Sequence, residues 1–256
     1  MVDYFKYKDL FWQLTAREIK ARYKQSVLGY AWAILVPLIN LVVLSIIFSH
    51  IFRVPTGDIP YPIYLFVALV PWTFFANSIT LATGSVLSNS SLITKVSLPR
   101  EILPISVIFA RMVDLLLTFL VLMIFLIVYK VSFQTTLLFL PLIFIVQLIL
   151  MMGVSFILSA TNVFFRDVEN ILGVVMMVWM YLTPIIYSPK LIPDNLQILF
   201  FLNPMTSIIE AYRNVILYGL SPSWANFSYS VIFSLIIFIL GYWYFKNRSR
   251  YFADVI

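Results

Sequence analysis

The chain has 256 residues, of which 62% are hydrophobic and 11% are charged, and it contains no cysteine. Its formal net charge of +6 comes from Lys and Arg beside long apolar segments. That pattern is typical of membrane anchoring and not of a nucleic-acid-binding surface, so we expect no nucleic-acid partner. The lack of cysteine excludes disulfides and thiolate metal sites. Length and composition therefore indicate one membrane-embedded domain that spans the whole chain.

The first predicted element is a basic amphipathic helix at residues 15–27, in the membrane interface. Thr15 and Glu18 fit the Thr-x-x-Glu capping box, which predicts that the helix begins there. Glu18 is also placed to pair with Arg22 one turn later. The basic residues of this segment are Arg17, Lys20, Arg22 and Lys24. A helix of this type lies on the membrane surface, although topology anchoring alone remains an alternative.

Six apolar stretches follow, each a candidate transmembrane helix. A bilayer core of about 30 Å needs about 20 apolar residues in a helix. The predicted spans are residues 31–52, 61–87, 105–129, 136–161, 171–187 and 227–245. Lys and Arg concentrate before the first span, in the loop after the second and behind the last. By the positive-inside rule both termini lie in the cytoplasm, and the predicted fold is an all-α membrane protein with six spans.

The cytoplasmic loop at residues 88–104 is unusually apolar for a connection between spans. Its apolar residues are Leu92, Ile93, Val96, Leu98, Ile102 and Leu103. An exposed apolar patch with a polar rim marks a partner site. We therefore predict that a partner protein binds this loop, with a short helix resting on lipid as the alternative.

On the opposite side of the membrane, residues 188–226 are too many for a simple connection. Pro193 and the pair Asn203-Pro204 divide this stretch, and Asp194 can cap a short helix through residue 202. Ser207 and Glu210 fit a second capping box. Both helices are too short to span and too apolar for water, so we predict that they re-enter the outer half of the membrane, where a gate would lie.

The sequence lacks the residue combinations that ATP-hydrolysing, metal-binding and catalytic-triad sites require. It has no phosphate-binding loop of the GxxxxGK[ST] type, so ATP hydrolysis by that route is excluded. His50 is the only histidine, so the sequence offers no other histidine for a metal cluster or a Ser-His-Asp triad. Arg111 and Asp114 are spaced to pair on one helix face near the cytoplasmic side.

Two rival functions remain open at this point. Asp167 and Glu169 form a D-x-E pair that a metal-dependent membrane glycosyltransferase could use, although acids in the first turn of a helix are common for structural reasons. An ion-coupled carrier normally has ionisable residues near the bilayer midplane, whereas the neutral Asn40 and Gln147 are the candidates here.

Four segments together resemble one family, the permease subunits of bacterial ABC exporters for polysaccharides. They are TAREIKARYKQSVLGYAWAILVP from Thr15, SLITKVSLPREILP in the cytoplasmic loop, FFRDVENILGVVMMVWMYLTPIIYS, and LNPMTSIIEAYRNVILYG. Their order matches the family over nearly the whole chain. The resemblance is greatest to the O-antigen branch, and the teichoic-acid and capsule exporters share these motifs.

The resemblance implies a homodimer of six-span subunits in the bacterial inner membrane, with both termini cytoplasmic. It implies an undecaprenyl-diphosphate-linked glycan as cargo and two ATP-binding subunits that hold ATP and Mg²⁺, with no cofactor, catalytic residue or metal site in this chain. Lipids surround the complex.

The resemblance assigns roles to residues of this chain only by their positions in the matching segments. The residues expected to contact the ATPase are Thr15, Glu18, Leu92, Ile93, Val96, Leu98, Pro99, Arg100, Glu101 and Ile102. Those expected at an outer gate are Ser207, Glu210, Tyr212 and Arg213. From charge alone, the cargo diphosphate is expected at Arg17, Lys20, Arg22 and Lys24.

Overall fold

A computed structural model describes residues 7–24, 26, 28–96 and 98–256. Across this described part, the chain forms eleven α-helices and no strand. In chain order they are α1 Lys8–Tyr23, α2 Ala31–Ser45, α3 Tyr61–Gly84, α4 Ser90–Lys95, α5 Ile102–Val128, α6 Leu140–Phe164, α7 Asp167–Tyr181, α8 Asp194–Phe201, α9 Pro204–Arg213, α10 Trp224–Ser249 and α11 Phe252–Val255. A π-helical turn extends α2 over Ile46–Ile51, and another extends α9 over Asn214–Tyr218.

Five of these helical segments are long and apolar enough to cross a membrane, which confirms an all-α membrane protein. They are Ala31–Ile51, Tyr61–Gly84, Ile102–Val128, Thr135–Phe164 and Trp224–Ser249. The predicted span at residues 171–187 is only partly helical, because α7 has 15 residues and is therefore about 22 Å long. It ends at Tyr181, three residues before Pro184, and a proline disfavours helical backbone in the residue before it. A sixth crossing therefore remains a prediction.

The first helix begins earlier than the sequence predicts. α1 starts at Lys8, so the capping box at Thr15 is wrong. Thr15 lies in the middle of the helix, where its hydroxyl donates to the Phe11 carbonyl at 2.8 Å. A threonine hydroxyl can bond the preceding turn of its own helix, so a threonine does not by itself mark a helix start. The helix ends at Tyr23, and residues 25 and 27 of the predicted range lie outside the described part of the chain.

α3 is the central helix of the bundle. It contacts α2, α5, α6, α7 and α9, and most of its side chains are buried. Pro71 lies inside it and carries no N–H for the helix. Nearby, the fully buried Gln147 of α6 donates to the Pro71 carbonyl at 2.7 Å and accepts from the Tyr212 hydroxyl at 2.9 Å. The amide of Gln147 thus joins α3, α6 and α9 within the apolar interior.

α6 and α10 pack against each other through two glycines. A Cβ atom on Gly153 would lie 2.7 Å from backbone atoms of Ile237 and Phe238, and one on Gly241 would lie 2.3 Å from the Gly153 carbonyl oxygen. Only glycine permits this approach, which is the usual way that transmembrane helices bring their backbones together. This contact fixes α10 against the bundle.

A second apolar core, the cytoplasmic core, lies at the end of the bundle that is predicted to face the cytoplasm. Leu14 of α1, Ile93 of α4, Phe245 of α10 and Phe252 of α11 are each at most 5% exposed and belong to one cluster. The interface helix, the cytoplasmic loop and the C-terminal helices therefore meet in a single packed unit.

Candidate functional site

The cytoplasmic loop does not expose the apolar patch that the sequence predicts. Ile93 is 5% exposed and Ile102 is 6% exposed, because α4 packs against α11 and the loop contributes to the cytoplasmic core. Leu92 and Leu98 are half-buried, and Val96 is 46% exposed. The covering helix comes from the far end of the chain, which a local pattern cannot reveal. The surface left for a partner is the C-terminal end of α4.

Polar contacts tie this loop to the last span. Glu101, which is 1% exposed, accepts a hydrogen bond from the Lys246 ammonium of α10 at 2.7 Å. The Arg100 guanidinium lies 5.9 Å from the centre of the Phe252 ring. A cavity of about 600 Å³ opens beside these residues. A displacement of the loop would therefore be passed to α10 through the Glu101–Lys246 ion pair as well as through packing.

The interface helix is attached to the bundle by two arginines. Arg17 donates to Asn89, after α3, at 2.5 Å and forms an ion pair with Glu18 at 2.8 Å. Arg22 forms an ion pair with Asp114 of α5. The predicted pair of Arg111 with Asp114 is confirmed, at 2.7 Å.

The four basic residues predicted to meet the cargo diphosphate, three in α1 and Lys24 directly after it, do not form one cluster. Arg17, Lys20 and Lys24 line a groove of about 780 Å³ with Tyr30, at the start of α2. Arg22 instead points to Asp114 on another side of the helix. The sequence alone could not show that Arg22 differs from the other three basic residues, because its partner Asp114 lies in a distant span.

On the opposite side of the bundle, Arg213 is held inside the protein. It is 2% exposed and donates to the carbonyls of Pro184 at 2.6 Å and Ile185 at 2.5 Å. Its guanidinium lies 3.7 Å from the centre of the Tyr64 ring. Burial raises the pKa of the nearby Glu210 carboxyl, and the positive charge of Arg213 opposes that shift. Arg213 thus fastens α9 to the turn after α7 and to α3.

Asn203 begins α9, so the predicted capping box at Ser207 and Glu210 is wrong. The Asn203 side chain accepts from the Met205 backbone N–H at 3.1 Å, and Ser207 lies one turn further in and is buried. Asn203 also accepts from the Trp179 indole at 2.9 Å. The pair Asn203-Pro204 carries the normal helix-start signal, a capping side chain followed by proline, and could have been recognised from the sequence.

Several residues that shape this outer region were missed by the sequence reasoning. Tyr61 donates to the Ile186 carbonyl at 2.8 Å, and Tyr64 donates to the Tyr187 carbonyl at 3.3 Å. Both hydroxyls hold the turn that Arg213 also binds. No local signal identifies them, since aromatic residues near the end of a span are ordinary membrane-belt residues.

The D-x-E pair lies at the start of α7, with Asp167 as the first helical residue. Glu169 accepts a hydrogen bond from the Asn162 amide at 3.3 Å. Among residues whose placement is described, no three His, Cys, Asp or Glu side chains come together as a metal site would require. Asp167 and Glu169 thus lie in the first turn of α7, where negative side chains interact favourably with the positive end of the helix dipole.

Known proteins match the chain over nearly all of its length. It is 33% identical to an O-antigen export system permease protein RfbA of Klebsiella pneumoniae, over 97% of this chain and 95% of that protein. It is 27% identical to a protein of the same name from Myxococcus xanthus, over 99% and 98%. It is 26% identical to the polysialic acid transport protein KpsM of Escherichia coli, over 93% and 92%.

The same relationship holds at the level of the family. Residues 9–217 match the ABC-2 type transporter family, and they include the interface helix, four of the five long spans and the outer helices α8 and α9. The resemblance seen in the sequence motifs is thereby confirmed. The chain belongs to the ABC-2 type transporter family.

Proposed function

We propose that this chain is the membrane-spanning, channel-forming subunit of an ATP-driven exporter that moves lipid-linked polysaccharide of the O-antigen type from the cytoplasm to the periplasm. The observation that carries the proposal is the match, over 97% of the chain, to a permease named for O-antigen export. A capsule or teichoic-acid glycan is the second candidate cargo, since a polysialic acid transport protein is also similar over most of the chain.

Two copies of the chain associate with two ATP-binding subunits in this proposal. The chain contains no phosphate-binding loop, so ATP and Mg²⁺ belong to the partner. The loop around α4 is the proposed docking point, because Val96 is exposed there and the Glu101–Lys246 pair links the loop to α10. Nucleotide binding would favour one of two arrangements of these elements, as coupling requires.

The proposed location is the bacterial inner membrane, with both termini cytoplasmic. This orientation follows from the Lys and Arg around the spans and needs an even number of crossings. We propose that α7 and residues 182–187 together make the sixth crossing, and that α8 and α9 re-enter the membrane from the periplasmic side. Non-helical backbone at membrane depth is tolerated where protein covers it, and Arg213, Tyr61 and Tyr64 cover residues 184–187.

The outer gate is the proposed role of α9. Ser207 and Tyr212 are buried against the bundle, and Arg213 anchors the helix to the turn after α7. On the cytoplasmic side, the groove lined by Arg17, Lys20 and Lys24 is proposed to attract anionic lipid head groups.

Deletion and copurification test this function. A strain that lacks the chain should accumulate lipid-linked glycan inside the cell and lose it from the surface, and the plasmid-borne chain should restore export. Affinity-tagged chain should copurify with an ATP-binding protein encoded nearby. Normal surface glycan in the deletion strain would refute the proposal.

The glycosyltransferase alternative makes opposite predictions. If the chain were an enzyme, purified protein without any ATPase would convert lipid-linked sugar, and Asp167→Asn would abolish the conversion. The transporter proposal predicts no conversion by the isolated chain and near-normal export by Asp167→Asn, because this residue is an exposed helix-start acid.

A further inference from the structure

Two amide side chains are exposed inside predicted spans. Asn40 in α2 and Asn77 in α3 are both solvent-accessible, although each lies within a long apolar helix. Moving an amide from water into hydrocarbon with no hydrogen-bonding partner costs about 4–8 kcal/mol. Contact with lipid chains is therefore unfavourable for this face, and we expect it to face water or a polar ligand.

The exposed amides belong to a groove between α2, α3 and α5. Its volume is about 370 Å³, within the range of about 300–1,000 Å³ that small-molecule sites occupy. The polar and charged residues that define this polar groove are Arg22, Asn40, Thr73, Asn77, Arg111, Asp114 and Thr118. Trp32, which is 46% exposed, also lines the groove and offers an aromatic face that can stack on a sugar ring.

Charge is unevenly distributed around this polar groove. At one end, Arg22 and Arg111 both bind the Asp114 carboxylate, so two positive groups face one negative group. A second cavity, of about 440 Å³, shares Arg22, Arg111 and Asp114 with the polar groove and adds the acids Glu18 and Glu169. The second cavity thus has three acids and two arginines, whereas the polar groove has one acid and two arginines, so the charge balance favours an anion in the polar groove. Guanidinium groups suit phosphate oxygens, which they bind with paired hydrogen bonds.

We propose that the polar groove binds the diphosphate and first sugar of the lipid-linked cargo. The diphosphate contacts Arg22 and Arg111 in partial competition with Asp114, and the sugar hydroxyls bond to Asn40 and Asn77. The inference rests on the proposed function, because it names where one subunit holds the cargo of that exporter. It also explains why an arginine of the interface helix is paired with a residue inside a span.

Thiol labelling tests whether the groove is aqueous. The chain has no cysteine, so one introduced cysteine gives a single labelling site on it. In the complex with its ATP-binding subunits in nanodiscs, Asn77→Cys should react with a charged, water-soluble thiol reagent. The matched control is Ile239→Cys on α10, where the native side chain is 63% exposed but lies on an apolar face. This control should not react, since the reagent does not enter lipid.

Ligand protection then tests the occupant. Undecaprenyl diphosphate with one attached sugar should slow labelling of Asn77→Cys severalfold, while inorganic pyrophosphate at the same concentration should not. An unlabelled Asn77→Cys in a complex that still exports glycan would overturn the proposal. So would labelling that the lipid-linked sugar leaves unchanged, or equal protection by pyrophosphate, which would indicate a site for free anions.

A charge variant tests the phosphate contact independently. Arg22→Gln leaves Arg111 paired with Asp114, so the carboxylate keeps a positive neighbour. Loss of a hydrogen bond to a charged group corresponds to about a tenfold or greater change in binding. We expect the concentration of lipid-linked sugar that gives half-maximal ATPase stimulation to rise by about that factor. Lys190→Gln, an exposed neutralisation at the other membrane face, should leave it unchanged.

The outcomes separate the two proposals. If deletion of the chain abolishes export but Arg22→Gln behaves like Lys190→Gln, the groove assignment fails while the proposed function stands. If deletion leaves export intact, the function itself is wrong and the labelling experiment describes a different kind of cavity.

Discussion

Arg213→Ala should destabilise the outer part of the bundle. The substitution removes two hydrogen bonds from a charged donor, at 2.6 and 2.5 Å, and the stacking of the guanidinium on Tyr64. Hydrogen bonds to charged groups contribute about 1.5–3 kcal/mol each, so the pair contributes about 3–6 kcal/mol before compensation. Removing the cation also removes the cost of keeping it from water. We therefore expect a net loss of about 3 kcal/mol, the lower end of what breaking a buried charged contact costs.

Thermal unfolding of detergent-purified protein measures this effect. A loss of that size lowers the melting temperature of a chain of this length by about 6–12 °C. Arg213→Lys is the informative comparison, because it keeps the charge but cannot bond both carbonyls with a planar group. We expect it to recover less than half of the lost stability. Limited proteolysis at residues 184–193 should also increase in Arg213→Ala.

Two results would refute this reasoning. A melting temperature of Arg213→Ala within the error of the natural chain would mean that the guanidinium contacts contribute nothing. Full recovery by Arg213→Lys would mean that charge alone matters, and the fork-shaped contact with Pro184 and Ile185 would have no special role.

Three further predictions concern packing and coupling. Gly153→Leu should abolish folding, because even a Cβ overlaps the α10 backbone, whereas Gly173→Ala meets no atom within 4 Å and should be neutral by melting temperature. Val96→Glu should reduce copurification of the ATP-binding subunit without lowering the melting temperature, and unchanged copurification would exclude α4 as the docking point. Lys246→Met removes the ion pair of the buried Glu101, so we expect a loss of about 3 kcal/mol, with Glu101→Gln/Lys246→Met partly restoring stability.

The apolar pattern predicted the helices well and their ends poorly. Hydropathy located five long spans within a few residues, because each is a continuous run that only a bilayer or a large core can accommodate. Capping signals failed at Thr15 and Ser207, since a residue type that can cap a helix can also sit inside one. The signal at Asn203-Pro204 was stronger because it combines two independent preferences.

The candidate sites depended on contacts between distant parts of the chain. The burial of Ile93 and Ile102 in the core that α11 helps to form could not be read from the loop, and it also makes a charge at Ile102 a test of folding and not of docking. Likewise, Arg22 finds its partner 92 residues away at Asp114. The local pair of Arg111 and Asp114 was predictable, because helix geometry alone places residues three apart on one face.

The position of α3 limits how the protein can change shape. Its neighbours within one subunit, α2, α5, α6, α7 and α9, enclose most of its length, so it cannot shift without disturbing all of them at once. Any widening that lets a bulky polymer through has to come from the outer helices, while α3 stays still as a fixed axis. A pair of spin labels on α3 and α6 of the same chain should accordingly keep its separation with and without nucleotide.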